Sequence, residues 1–247
     1  MQFSKTEITK IIIASIITGF VFSFNQWGDE TFSLTIGLLN LSMAVFICLI
    51  IYTVHALSQK IAALKSACET EFDLITAKKI SYKISMGVPK YLRYIGPIIT
   101  ILISLLSNGK ALFIAIATFN EKVIRSKRIG FKWTNLKESE LGMIAFAGPL
   151  SNLILLVIFK ALVPISPVFF SKAVFISSTL AIFHLLPLPK FDGIKIFFGS
   201  RILYLFALSF AIILIVLVNI TNALLSTVIA LIIALSAALY FFYISNK

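Results

Sequence analysis

Acidic residues are scarce in this chain, and after Glu140 there is one, Asp192. Charged residues of both signs make up 13 % of 247 residues, against 59 % hydrophobic, and the mean hydropathy is +1.01. So little charge excludes a soluble globular domain and implies a polytopic membrane protein. Cysteine is equally sparse. Cys48 lies in an apolar run and Cys68 outside it, which excludes a disulfide framework and any C-x-x-C pair. Histidine occurs only at His55 and His184. No internal repeat is present, so an inverted-repeat transporter is not favoured. The net charge of +12 invites a nucleic-acid reading, but the basic residues flank apolar runs and no RNA-binding signature accompanies them. No nucleic-acid partner is expected; the lipid bilayer is.

What is present is a series of apolar runs long enough to cross that bilayer. Spans are expected at about Ile8–Phe24, Leu34–Leu57, Leu141–Val163, Val168–Leu186, Ile202–Val218 and Leu224–Tyr243, each near the ~20 residues a helical crossing requires. The amino-terminal run lacks a small-x-small cleavage site and reads as a retained span. Between Ser58 and Glu140 fourteen Lys and Arg are interleaved with shorter apolar pieces. There Tyr94–Leu106 is too short for a confident crossing, Ala111–Thr118 reads as a strand or re-entrant segment, and Lys122–Lys137 is a basic, solvated stretch. The expected architecture is one membrane domain over 1–247: two spans in 8–57, a basic and partly embedded insertion in 58–140, a core in 141–201 and two further spans in 202–247.

Six crossings place both termini, the insertion and the 190–201 loop on one side. All the Lys and Arg except Lys160 and Lys172 collect there. The positive-inside rule assigns that side to the cytoplasm, and the expected location is the cell membrane with both termini cytoplasmic.

Three polar interruptions of the apolar spans carry the candidate chemistry. His55 closes the second span in Val54-His55-Ala56-Leu57-Ser58-Gln59. Gly148-Pro149-Leu150-Ser151-Asn152 opens the third. The fourth ends in His184-Leu185-Leu186-Pro187-Leu188-Pro189-Lys190-Phe191-Asp192-Gly193. Pro187 and Pro189 fix φ and remove two backbone donors, so a helix must end there. A carboxylate at such a break is either a functional group within the membrane or the cap of an Asp-Gly turn. Glu138 and Glu140 suit the start of the third span, where acids favour the helix dipole.

In this order the three segments resemble the site-2 protease family of intramembrane zinc metalloproteases, particularly its compact archaeal forms, over about residues 45–200. The family carries H-E-x-x-H, then G-P-x-x-N, then N-x-x-P-x-P-x-x-D-G. The resemblance implies an all-α fold of about six transmembrane helices with a short strand-like or re-entrant insertion on the cytoplasmic side. It also implies zinc held by two histidines and an aspartate, and a substrate groove near Gly148, Pro149, Asn152, Pro187 and Pro189. The first motif departs: Ala56 stands at the glutamate and Gln59 at the second histidine, while His184 stands at the asparagine of the last. Alanine has no proton-accepting group, and general-base loss typically removes ~10²–10⁴ of rate. A neutral amide oxygen is a poor zinc ligand.

The leading expectation is therefore a pseudoprotease without a resident cofactor, binding a transmembrane segment or a partner subunit. The enzyme alternative is a zinc protease using His55, His184 and Asp192, with Gln59 as a weak further donor. A small-solute or ion pathway through the isolated polar groups is the third.

Overall fold

The computed structural model describes residues 2–28, 31–76, 94–124 and 135–245. Asp29, Glu30 and the greater part of the basic stretch Lys122–Lys137 lie outside the described residues. In chain order the elements are α1 (Lys5–Ser23), α2 (Leu34–Lys65), β1 (Cys68–Leu74), α3 (Ile95–Leu106), β2 (Ala117–Val123), α4 (Glu138–Leu162), α5 (Pro167–Leu185), α6 (Asp192–Gly199), α7 (Arg201–Ile220) and α8 (Ala223–Ser245). Among them α1, α2, α4, α5, α7 and α8 are long and apolar enough to cross a membrane. The six expected crossings are thus matched by six helices, the pattern of a multi-pass membrane protein.

Local chemistry explains the helix ends. Ser4 accepts from Glu7 N–H at 3.1 Å while the Glu7 carboxylate takes the Ser4 N–H at 3.4 Å, a reciprocal cap that starts α1. Helix α2 runs past its expected end at Leu57 to Lys65. Residues 60–65, Lys-Ile-Ala-Ala-Leu-Lys, are mostly strong helix formers, and lysine stems carry their charge back to water beyond an apolar span. The chain then reverses at Ala67, φ 49°.

The chain divides into two compact units. One holds Met1–Ala56 with Thr70–Glu121. In it α1 meets α2 where Gly19 lies against Val45, and the Thr18 and Tyr52 hydroxyls share a hydrogen bond of 2.9 Å. The buried Glu7 accepts the Phe72 N–H at 2.8 Å, and Lys10 pairs with Asp73 at 2.8 Å. Strands β1 and β2 form a two-stranded antiparallel sheet. Strand β1 is not among the expected elements, although Cys68, Thr70 and Phe72 alternate inward with Glu69 and Glu71 outward, as period-2 patterning requires. Strand β2 begins at Ala117, later than the Ala111–Thr118 expectation. At ~1.5 Å per residue α3 covers ~18 Å, short of a ~30 Å hydrocarbon core. It is tied down instead by Gly96 N–H to the Ile75 carbonyl at 3.1 Å and by Ala115 N–H to Thr100 Oγ1 at 3.0 Å.

The other unit holds Leu57–Glu69 with Lys122–Lys247. Helix α4 packs on α5 and on the short α6, and α7 packs on α8. Glu140 accepts the Lys137 N–H at 3.1 Å, so the acids before the G-P-x-x-N segment serve the start of α4. Helices α4 and α6 meet at glycines: a β-carbon at Gly142 would lie 2.9 Å from Gly199 Cα. In lipid, helices associate by close packing, and small residues are what let two backbones approach this far.

A leucine at 142 has no space without parting α4 from α6. Gly142→Leu is expected to cost ~1–3 kcal/mol by overpacking, read as a lowered unfolding midpoint in detergent. Met143→Leu, at a position 56 % exposed, is expected to leave that midpoint unchanged.

Candidate functional site

The site begins with the break after α5. The helix ends at Leu185, and Leu188, Pro189, Lys190 and Phe191 form a turn closed by Phe191 N–H to the Leu188 carbonyl at 3.1 Å. Proline presets φ at the second position of such a turn, and Lys190 takes φ 75° at the third, as a type II turn demands. The chain returns at once into α6, whose first residue is Asp192. A β-carbon at Gly193 would run into the Leu185 carbonyl, so glycine is what allows α6 to close on the end of α5. That closure brings the Asp192 carboxylate back beside His184.

Asp192 is 1 % exposed and His184 4 %. His184 Nδ1 lies 3.3 Å from Asp192 Oδ2. The same oxygen accepts from Gln59 Nε2 at 3.0 Å, and Gln59 is buried on the last part of α2. An ionised carboxylate only accepts hydrogen bonds, so the glutamine amide must turn its N–H₂ toward it. The amide donor, joined by the imidazole when Nδ1 carries the proton, supplies that oxygen with part of what water would otherwise give a carboxylate in a low-dielectric interior. The first turn of α6 adds the positive end of its dipole.

The ligand-capable side chains His55, His184 and Asp192 are all buried. His55 lies on α2 four residues before Gln59, on the same face of that helix. Ala56, at the position where the resemblance requires a base, is a buried methyl group. A zinc site for hydrolysis needs ligands with available lone pairs, an open position and a base. Gln59 offers an N–H in place of a lone pair, and Ala56 cannot take a proton. Positions 56 and 59 therefore do not supply the base and the second ligand of a hydrolytic zinc centre, while His55, His184 and Asp192 are residue types that could hold an ion.

The G-P-x-x-N segment lies in the first half of α4, with Pro149 inside the helix and Gly148, Pro149 and Asn152 buried. Ser151 Oγ donates to the Gly148 carbonyl at 2.7 Å, and Ser177 Oγ of α5 donates to the Asn152 carbonyl at 2.7 Å. Ser177 is not among the sequence candidates; the hydroxyl run Ser177-Ser178-Thr179 in an otherwise apolar helix is the signal that marks it. One face of α4 also borders a groove of about 650 Å³ shared with the end of α2. Ile61, Ala62, Met143, Ala147, Leu150 and Ile154 line it, and Lys65 and Glu140 stand among its lining residues where α2 ends and α4 begins.

The Gln59–Asp192 bond predicts a coupling. Gln59→Leu is expected to destabilise the protein by ~1.5–3 kcal/mol, the worth of a hydrogen bond to a charged group. In a double-mutant cycle with Asp192→Asn the two changes are expected to be non-additive by ~1 kcal/mol or more. Strict additivity in detergent unfolding would show that the two groups do not interact. Searches of family models, of curated proteins and of solved structures found no match to this chain.

Proposed function

We propose that this chain is a catalytically degenerate membrane protein of site-2-protease type that binds a transmembrane segment of a partner instead of cutting it. The observation that carries the reading is the Gln59–Asp192–His184 cluster, in which an amide donates to the carboxylate where a protease of this type has a second zinc ligand. With alanine at position 56 of the motif, the arrangement retains a buried polar anchor and loses both activation of water and the means to accept its proton.

The groove between the end of α2 and α4 supports binding as the retained activity. Its walls are mostly apolar side chains, and Met143 and Ile61 are half-exposed, 56 % and 50 %. At about 650 Å³ it lies within the ~300–1,000 Å³ of ordinary ligand sites. It suits a few turns of an apolar helix, or an unwound stretch of one, whose own polar groups find Ser58, Ser139 and Ser151 along the wall. Association of such segments in lipid rests on packing and interhelical hydrogen bonds, which small residues such as Ala62 and Ala147 favour.

The purified protein, reconstituted with single-span membrane peptides and zinc, is expected to yield no cleavage and no stoichiometric zinc by elemental analysis. Cleavage abolished by Asp192→Ala, or zinc lost on His184→Ala, defeats the proposal and favours the enzyme reading. Binding is expected to be read as energy transfer between labelled peptide and protein in vesicles. Ala147→Trp, which fills the groove, is expected to weaken it about tenfold or more.

A further inference from the structure

Lys160 stands in the last turn of α4 and borders a second cavity, of about 490 Å³, lined by α4, α5 and α7. Among the described residues its ammonium has no hydrogen-bond or ion-pair partner. Among the described residues of the same unit, the single acid after Glu140, Asp192, stands beyond the far end of α5. Ser171, in the first turns of α5, and Asn219, in the last turn of α7, lie at the same end of the cavity as Lys160. From there the lining continues along α5 through Phe175 to Ile182 and Phe183, a depth of ~18 Å at ~1.5 Å per residue. The cavity is polar and cationic at one mouth and mostly apolar along its length, where the hydroxyls of Ser178 and Thr179 are turned onto the Phe175 carbonyl of their own helix.

A charge at membrane depth is normally paired or functional. Lysine near a helix end also extends toward the headgroup level, where lipid phosphates lie. Phe175 is 52 % exposed, so the wall beside it opens sideways, toward lipid. We infer that this cavity is a binding site for an anionic phospholipid, with the phosphate on Lys160 and one acyl chain along α5 toward Phe183. An anion with a long apolar tail satisfies both ends at once; a free anion leaves the apolar length empty, and a zwitterionic lipid brings a cation that finds no acid among the lining residues. The site is separate from the Asp192 cluster, and it stands whether or not the chain binds a transmembrane partner.

The test uses the full chain in detergent, titrated with phosphatidylglycerol or with phosphatidylcholine of the same acyl chains, and native mass spectrometry as the readout. One equivalent of phosphatidylglycerol is expected to be retained at about tenfold lower concentration than phosphatidylcholine. Lys160→Met is expected to remove that preference and Lys160→Arg to keep it. Ser171→Asp, an exposed position at the cavity mouth, gives an independent route: the added carboxylate is expected to abolish the preference without disturbing the core. Ile182→Trp is expected to lower retention of both lipids. Equal retention of phosphatidylglycerol by the wild type, Lys160→Met and Ser171→Asp overturns the inference, as does a wild type without preference. Preferential retention of oleate over phosphatidylglycerol also overturns it, in favour of a free fatty-acid carboxylate.

Discussion

A carboxylate buried among apolar helices loses its water and must find donors inside the protein, or the structure that buries it does not form. Asp192 finds two, the Gln59 amide and the His184 ring, on one oxygen. Much of the second unit's local geometry serves that meeting. The two prolines end α5, the turn at Pro189–Lys190 reverses the chain, and Gly193 removes the β-carbon that would hold α6 away from the Leu185 carbonyl. Gly142 and Gly199 then let α4 close on α6. The glycines are there for contact between backbones, and the Asp-Gly pair is more than a turn signal.

This arrangement changes the meaning of the altered motif. A glutamine in a ligand position is easily read as a weakened ligand. Bonded to the Asp192 carboxyl group through its N–H₂, it is a donor that holds Asp192 in place. A hydrogen-bonded carboxyl group of this kind is a polar feature inside the bundle. Under the proposed reading, the frame of the resemblance is kept while its chemistry becomes that of a scaffold with an apolar groove nearby.

The first unit solves the same problem in a different way. Glu7 is buried, and it takes the N–H of Ser4 at its own helix start and that of Phe72 at the strand. Asp73 is shared between Lys10 and Asn120. Backbone donors, one lysine and one side-chain amide thus satisfy acids that a hydropathy reading passes over. Such a reading sums apolar character and is blind to a carboxylate whose partners come from a strand.

Membrane class, six crossings and the ends of most helices were legible in the order of residues alone, because hydropathy over ~20 residues and the rigid chemistry of proline are local properties. His55, Gln59, Asn152, His184 and Asp192 stood out in the same way, as polar interruptions worth explaining. Strand β1 escaped that reading, although its alternation is plain once sought, and α2 was ended at Leu57, since hydropathy fades before helix propensity does. The packed fold was needed to show which groups meet: that Gln59 gives its N–H to Asp192, that Ser177 reaches the Asn152 carbonyl, and that Lys160 stands at the mouth of a cavity without an acid. A hydrogen bond between residues more than a hundred positions apart depends on how helices pack, and packing is a property of the whole surface of each helix.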